Sequence, residues 1–250
     1  MATMLEFTPR SAASHHAQDE PVVATGRHVL DNPAWSALTG PHAAFAEGND
    51  LVKHYPQDIS AFGGVASWDD PDVWDAIIDV YGYGAEVFAS HAEPELPDGW
   101  EYLRRGLGVQ LVPTERLETR PHPEAVELGA DDVDDMLAIV ERNKPGPFLP
   151  RTHELGRYVG IRRDGRLVAM AGERLRANGW TEISAVSVDE SARRQGLASA
   201  LTLDIAHAIR ARGDEAFLHA SGTNTAAVSA YEKLGFVLQR RVPFLRIRTP

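Results

Sequence analysis

The chain has 250 residues, 43% of them hydrophobic, enough to bury one large core or two small ones. It has no cysteine, which excludes disulfides, thiol nucleophiles and thiolate metal sites, and no apolar run reaches the length of a membrane-crossing helix. A net charge of −11 argues against nonspecific nucleic-acid binding and suits an amine-bearing, cationic acceptor.

Residues 1–26 are small and polar without the apolar centre of a signal peptide, so a disordered start and a cytoplasmic location are expected. Asn32-Pro33 reads as a cap followed by a first-turn proline, opening a helix with Trp35 and Leu38. Asp50 to Tyr55 reads as a strand. Asp70-Pro71 starts a second helix, with Val73, Trp74, Ile77, Ile78 and Tyr81 at helical spacing. Short strands follow at Glu86–Ala89 and Val109–Val112. Residues 27–118 thus form an α/β half, and the prolines at 113, 121 and 123 mark a linker to a second unit over 119–250.

Beyond the linker the pattern is more regular. Ala125 to Leu128 is a strand, and a helix with acidic residues in its first turn begins at Asp131. Asp164-Gly165 and Asn178-Gly179 are hairpin signals that join Tyr158–Arg162, Leu167–Leu175 and Thr181–Val188. A polar turn then holds Arg193, Arg194, Gln195 and Gly196. Leu197, Leu201, Ile205 and Ile209 follow on one helical face. Backbone N–H groups at a helix start lack intrahelical partners and the macrodipole is positive there. With two arginines and a glycine that permits close approach, the turn is an anion site suited to phosphate or pyrophosphate. The last 58 residues, 193–250, carry nine Lys and Arg against four Asp and Glu, a net-basic segment in an acidic chain. Glu215 to Ala220 is a strand. Asn224 caps a helix over Thr225 to Leu234 that Gly235 closes, and Tyr231 lies two turns along it.

Two motifs in order, Arg193-x-x-Gly196-x-Ala198 after a strand and Asn224-x-x-Ala227-x-x-x-Tyr231-x-x-x-Gly235-Phe236, resemble the GCN5-related N-acetyltransferase (GNAT) superfamily. The resemblance covers roughly residues 124 to 250. Met170-Ala-Gly-Glu173 and Thr181 to Val186 are similar to its FR47-like group, related to glycine N-acyltransferases. It implies an α/β (α+β) fold with a mixed, mostly antiparallel sheet and helices on both faces. The N-terminal half is compatible with a degenerate copy of that fold.

The resemblance also implies the chemistry, a direct transfer of an acetyl group from acetyl-CoA to a primary amine of a small molecule or peptide. The N–H groups from Arg194 to Ser199, spanning Gln195, Gly196, Leu197 and Ala198, would cradle the pyrophosphate, with Arg193 beside them. Val186, Ser187 and Val188 would bind the pantetheine arm as an added strand, and Asn224 would touch it. Tyr231 matches the acid that protonates the leaving sulfur. For the base, Glu182 matches the glutamate of several members, ahead of His219, whose position holds the base in protein N-terminal acetyltransferases; Glu173 has a weaker claim. Segments Asn143 to Leu155 and Arg240 to Leu245 would shape the acceptor site, the latter as a hairpin, with Phe148, Phe244 and Glu154 as candidates. No metal, nucleic acid or membrane is expected, and oligomeric state is left open. Two alternatives stand beside this reading: a noncatalytic acyl-CoA sensor, and transfer of a longer acyl group.

Overall fold

The computed structural model describes residues 28–250, so the expected disordered start lies outside the described residues. Helix α1 (Pro33–Leu38) begins as its Asn-Pro pair predicts: Asn32 Oδ1 accepts from the Trp35 N–H at 3.3 Å. Strands β1 (Glu47–Gly48), β2 (Val52–His54) and β3 (Gly63–Val65) form a small antiparallel sheet. Helix α2 (Val73–Tyr81) starts three residues later than its Asp-Pro signal and buries Val73, Ala76 and Ile77 with Val52, Val65 and Val87.

The main sheet has eight strands. They are β4 (Glu86–Ser90), β5 (Glu101–Pro113), β6 (Val126–Leu128), β7 (Tyr158–Arg163), β8 (Arg166–Ala177), β9 (Trp180–Val188), β10 (Glu215–Ser221) and β11 (Phe236–Arg248). Their order is β4-β11-β5-β10-β9-β8-β7-β6, and every pairing is antiparallel except β9 with β10. Helix α3 (Val133–Asn143) packs on one face; α4 (Leu197–Ala211) and α5 (Thr225–Leu234) pack on the other. The alternation of strand side chains makes this division. On β8, Ala169 and Ala171 join the α4 core while Met170 between them joins the α3 core.

Helix α4 carries the predicted stripe inward: Leu197, Leu201, Ile205 and Ile209 are all buried. Each such side chain contributes about 1.5–3 kcal/mol when removed from water. The opposite face is shared by α3 and by α1, whose Ala34, Ala37 and Leu38 pack with Leu175 of β8 and Phe217 of β10.

The sheet crosses the linker. Strands β4 and β5 precede it, yet β5 lies between β10 and β11, pairing with β11 from Glu101↔Arg248 to Pro113↔Phe236. The described part of the N-terminal half, residues 28–118, and residues 119–250 therefore share one sheet. The hairpin expected at Arg240 to Leu245 is instead the middle of one strand. Residues 236–248 contain no turn-forming pair, and β5 supplies the partner that a second hairpin arm would have given. The insertion is tight: a Cβ on Gly108 of β5 would sit 2.2 Å from the Phe244 ring.

Candidate active site

The parallel pair β9 and β10 runs in register only from Trp180↔Glu215 to Ile183↔Leu218. Past that point β10 continues beside β5 alone, with His219 opposite Gln110. Strand β9 continues beside β8 through an irregularity between Met170 and Gly172, where Ala185 has a φ of 53°. The two strands thus part beyond residue 183. Among the described residues the β10-facing edge of Ser184 to Val188 has no strand beside it, the arrangement an extended ligand requires for strand addition. Val186 and Val188 pack toward the α4 core, and the buried Ser187 hydroxyl has no hydrogen-bond partner among the described residues.

The turn after β9 is anchored by Asp189, which accepts from Arg142, Arg166 and Ser191. Arg194 (φ 63°) and Gly196 (φ 76°) are both left-handed, a backbone shape of the kind that builds anion-binding turns. No hydrogen bond closes on the N–H groups of Arg194 to Ser199 among the described residues; the first bonded amide of α4 is Ala200, to Gly196 O. Gln195 and Gly196 are exposed, Leu197 is buried, and Ala198 and Ser199 are half-buried. Arg193 is held by Asn143 Oδ1 at 3.0 Å, whereas the Arg194 side chain is exposed and makes no hydrogen bond among the described residues.

Asn224 caps α5, its Oδ1 accepting from the Ala227 N–H at 3.1 Å. Tyr231 packs against the same core as Val186, Val188 and Ala220, which border the parted strands, and its ring meets Phe236 edge-on. Burial pushes the Tyr231 phenol up to about 12, so it keeps its proton at neutral pH, as an acid must.

Glu182 and His219, rivals in the sequence, are hydrogen-bonded to each other. Glu182 Oε1 lies 2.7 Å from His219 Nδ1, and Arg174 closes on the same carboxylate through Nε at 2.9 Å and Nη2 at 2.5 Å. Glu182 is completely buried. Burial alone would raise its pKa; Arg174 first, then His219, outweigh this and hold it well below the usual carboxylate range. A carboxylate so held is a weak base by itself but a strong orienter of an imidazole. Two further residues join this cluster. His219 Nε2 lies 3.2 Å from both His91 Nε2 and Gln110 Nε2. Arg174 also stacks over Phe62, and Phe244 meets the His219 ring edge-on at 5.6 Å.

His91, Gln110 and Arg174 carry no signal in the sequence, since strand pairing alone brings them to Glu182 and His219. Glu173, the third acid, is paired with Arg212 at 2.7 Å and stands outside the cluster. Of the acceptor candidates, only Phe244 reaches it. Phe148 is core, edge-on to Tyr158, and Glu154 is bound to Arg151. A cavity of about 330 Å³ opens instead between the N-terminal half and the sheet, lined by Tyr55, Phe62, Phe88, Leu149, Glu86 and Arg246. Among the described residues no helix is long and apolar enough to cross a membrane.

Residues 158–244 match the model of the FR47-like protein family. The mycothiol acetyltransferase of Streptomyces avermitilis is 31% identical over 150 residues, covering 58% of this chain; the chain spans under half of that relative, 45% of its length. A solved GNAT-family structure from Novosphingobium aromaticivorans superimposes with a TM-score of 0.81 at 29% identity, covering 89% of this chain and 99% of that one. A GCN5-related N-acetyltransferase from Kribbella flavida shares the fold, with a TM-score of 0.58 at 20% identity over 86% of this chain and 93% of its own. The mixed sheet parted beyond residue 183 and these likenesses together give the chain the fold of the GCN5-related N-acetyltransferases, with residues 158–244 matching the FR47-like family.

Proposed function

We propose that the chain is an N-acetyltransferase that moves an acetyl group from acetyl-CoA to a primary amine of a small molecule or peptide, with both substrates bound together. The observation that carries this reading is the open N–H row of Arg194 to Ser199 directly after the unpaired edge of β9. A diphosphate fits the first and an extended amide-bearing arm fits the second. Val186 to Val188 would hold the arm, Arg193 and Arg194 the phosphate charge, and Asn224 the flank. The thioester supplies an activated acyl carbon. The likeness to a mycothiol acetyltransferase supports acetyl transfer as the reaction class.

The chain's own residues then handle protons. His219, oriented by ionised Glu182, is the base that ends with the positive charge of the amine proton, and Tyr231 donates to the departing sulfur. Glu182 acts through His219. A second reading, a noncatalytic acyl-CoA sensor, draws support from the burial of His219, whose side chain is 4% exposed with both nitrogens engaged.

Thiol release from acetyl-CoA against a panel of amines, amino acids and peptides separates the two. The enzyme reading expects turnover with at least one amine, lowered by His219→Ala. Coenzyme binding without release on any of them supports the sensor.

A further inference from the structure

The N-terminal half places a second imidazole against the proposed base. His91 follows β4 with a φ of 69°, its N–H tied to Pro243 O at 3.3 Å. Its Nδ1 lies 2.9 Å from Ser90 Oγ and its Nε2 lies 3.2 Å from His219 Nε2. Hydrogen positions follow from the partners. Ionised Glu182 only accepts, so His219 Nδ1 donates to it, and in neutral His219 Nε2 is a lone pair. A relay requires hydrogen on His91 Nε2, facing that lone pair, with His91 Nδ1 accepting from the Ser90 hydroxyl. Gln110 gives one amide hydrogen to Leu30 O at 3.1 Å, and its Nε2 lies 3.2 Å from both imidazole Nε2 atoms, so its second hydrogen shares the His219 lone pair with that of His91.

Among the described residues the contacts at His219 leave one route for a proton to reach it. Glu182 and Arg174 seal the Nδ1 side, and the Gln110 amide does not relay protons. His91 is half-buried rather than fully enclosed, as is Ser90. A cavity of about 20 Å³ beside Ser90, lined also by Asn32 and Tyr81, has room for one water. The remaining charges at the pair are Glu182 with Arg174 on one side and Arg240, paired with Asp31, on the other.

We propose that His91 is a positioning and relay residue for the Glu182–His219 pair, so that the N-terminal half completes the site; this rests on the acetyltransferase reading above. As the amine lone pair forms the C–N bond and the C–S pair leaves on sulfur, the amine proton passes to His91 Nδ1, directly or through Ser90 Oγ. In the same step the hydrogen on His91 Nε2 moves to His219 Nε2. His91 ends neutral, with hydrogen on Nδ1, and His219 ends as an imidazolium against the Glu182 carboxylate. Burial, with the neighbouring His219, holds His91 well below the ordinary imidazole range, which keeps it neutral, so that it passes a hydrogen on and does not retain a charge.

The full chain with His91→Gln retains a side-chain N–H for His219 but cannot relay. With acetyl-CoA and the best amine of the panel, kcat is expected to fall at least about tenfold, with the acetyl-CoA Kd unchanged. Nitrogen-15 imidazole spectra of the wild-type protein at neutral pH should give hydrogen on Nε2 of His91 and on Nδ1 of His219. Wild-type kcat in His91→Gln, or hydrogen on Nδ1 of neutral His91, overturns the relay alone; absence of turnover in the wild type with every amine overturns the transferase reading and the relay together. If His91→Gln does not fold, the wild-type tautomers decide the matter.

Discussion

The two faces of the eight-stranded sheet are built from opposite materials. On the α4 side, Val159, Ile161, Ala169, Ile183 and Leu218 meet Leu197, Leu201, Ile205 and Ile209 in an apolar core. On the other side, four neighbouring strands carry a buried polar row, Arg174 on β8, Glu182 on β9, His219 on β10 and Gln110 on β5. The first face holds the sheet together by area, which is forgiving of individual contacts. The second depends on complete pairing, because a buried charge that loses its partner is left in a medium that cannot solvate it.

Single truncations on each face break this comparison open. Arg174→Ala should cost the most, about 3–5 kcal/mol, since it strands the Glu182 carboxylate. Leu201→Ala on the α4 face leaves only a cavity, at about 2–5 kcal/mol, and should not alter His219. Urea unfolding of both variants at pH 7 measures the costs, and the His219 imidazole shifts tell the faces apart. Equal costs with equally undisturbed His219 shifts would contradict the division.

A pH titration of stability sharpens it further. His42 is buried in the N-terminal half with Nδ1 2.8 Å from Tyr55 Oη, and burial lowers its pKa to about 4. An unfolded histidine, near 6.5, binds more protons than the folded one between those values. Stability is therefore whole above pH 6.5 and falls as pH drops toward 4, by up to about 3 kcal/mol from this residue. His42→Gln should flatten that part of the curve; an unchanged slope would remove His42 as its source.

What the sequence disclosed follows the same division. The α4 stripe, the Asn32 and Asn224 caps and the left-handed Gly196 are local, each set by residues within a turn or two. The polar row is not local. His91 and His219 are 128 positions apart, and Gln110 and His219 are 109 apart, joined only because β5 enters the sheet between β10 and β11. That insertion has no sequence signature: β5 reads as an ordinary strand, and nothing in residues 236–248 announces a missing hairpin arm. Glu182 and His219 are each visible as a candidate base, but the hydrogen bond that joins them depends on strand register.

A smaller effect is expected at Tyr231. Tyr231→Phe removes one hydroxyl at the edge of the α4 core and should lower turnover about tenfold or more, leaving acetyl-CoA affinity within about twofold. Steady-state kinetics with a titrated Kd check this, and unchanged kcat removes Tyr231 as the acid.

The most direct test is coenzyme A titrated into the nitrogen-15-labelled chain, following backbone amides, beside the same titration of Gly196→Val. A β-branched residue cannot hold a φ of 76° without strain, although the space beside Gly196 is open, so loss of binding would report the lost backbone shape. The largest shifts should fall on Arg194 to Ser199 and Val186 to Val188, with affinity at least about tenfold weaker in the variant. Shifts confined to other segments, or equal affinity in the two proteins, would contradict the placement of the phosphate on this turn.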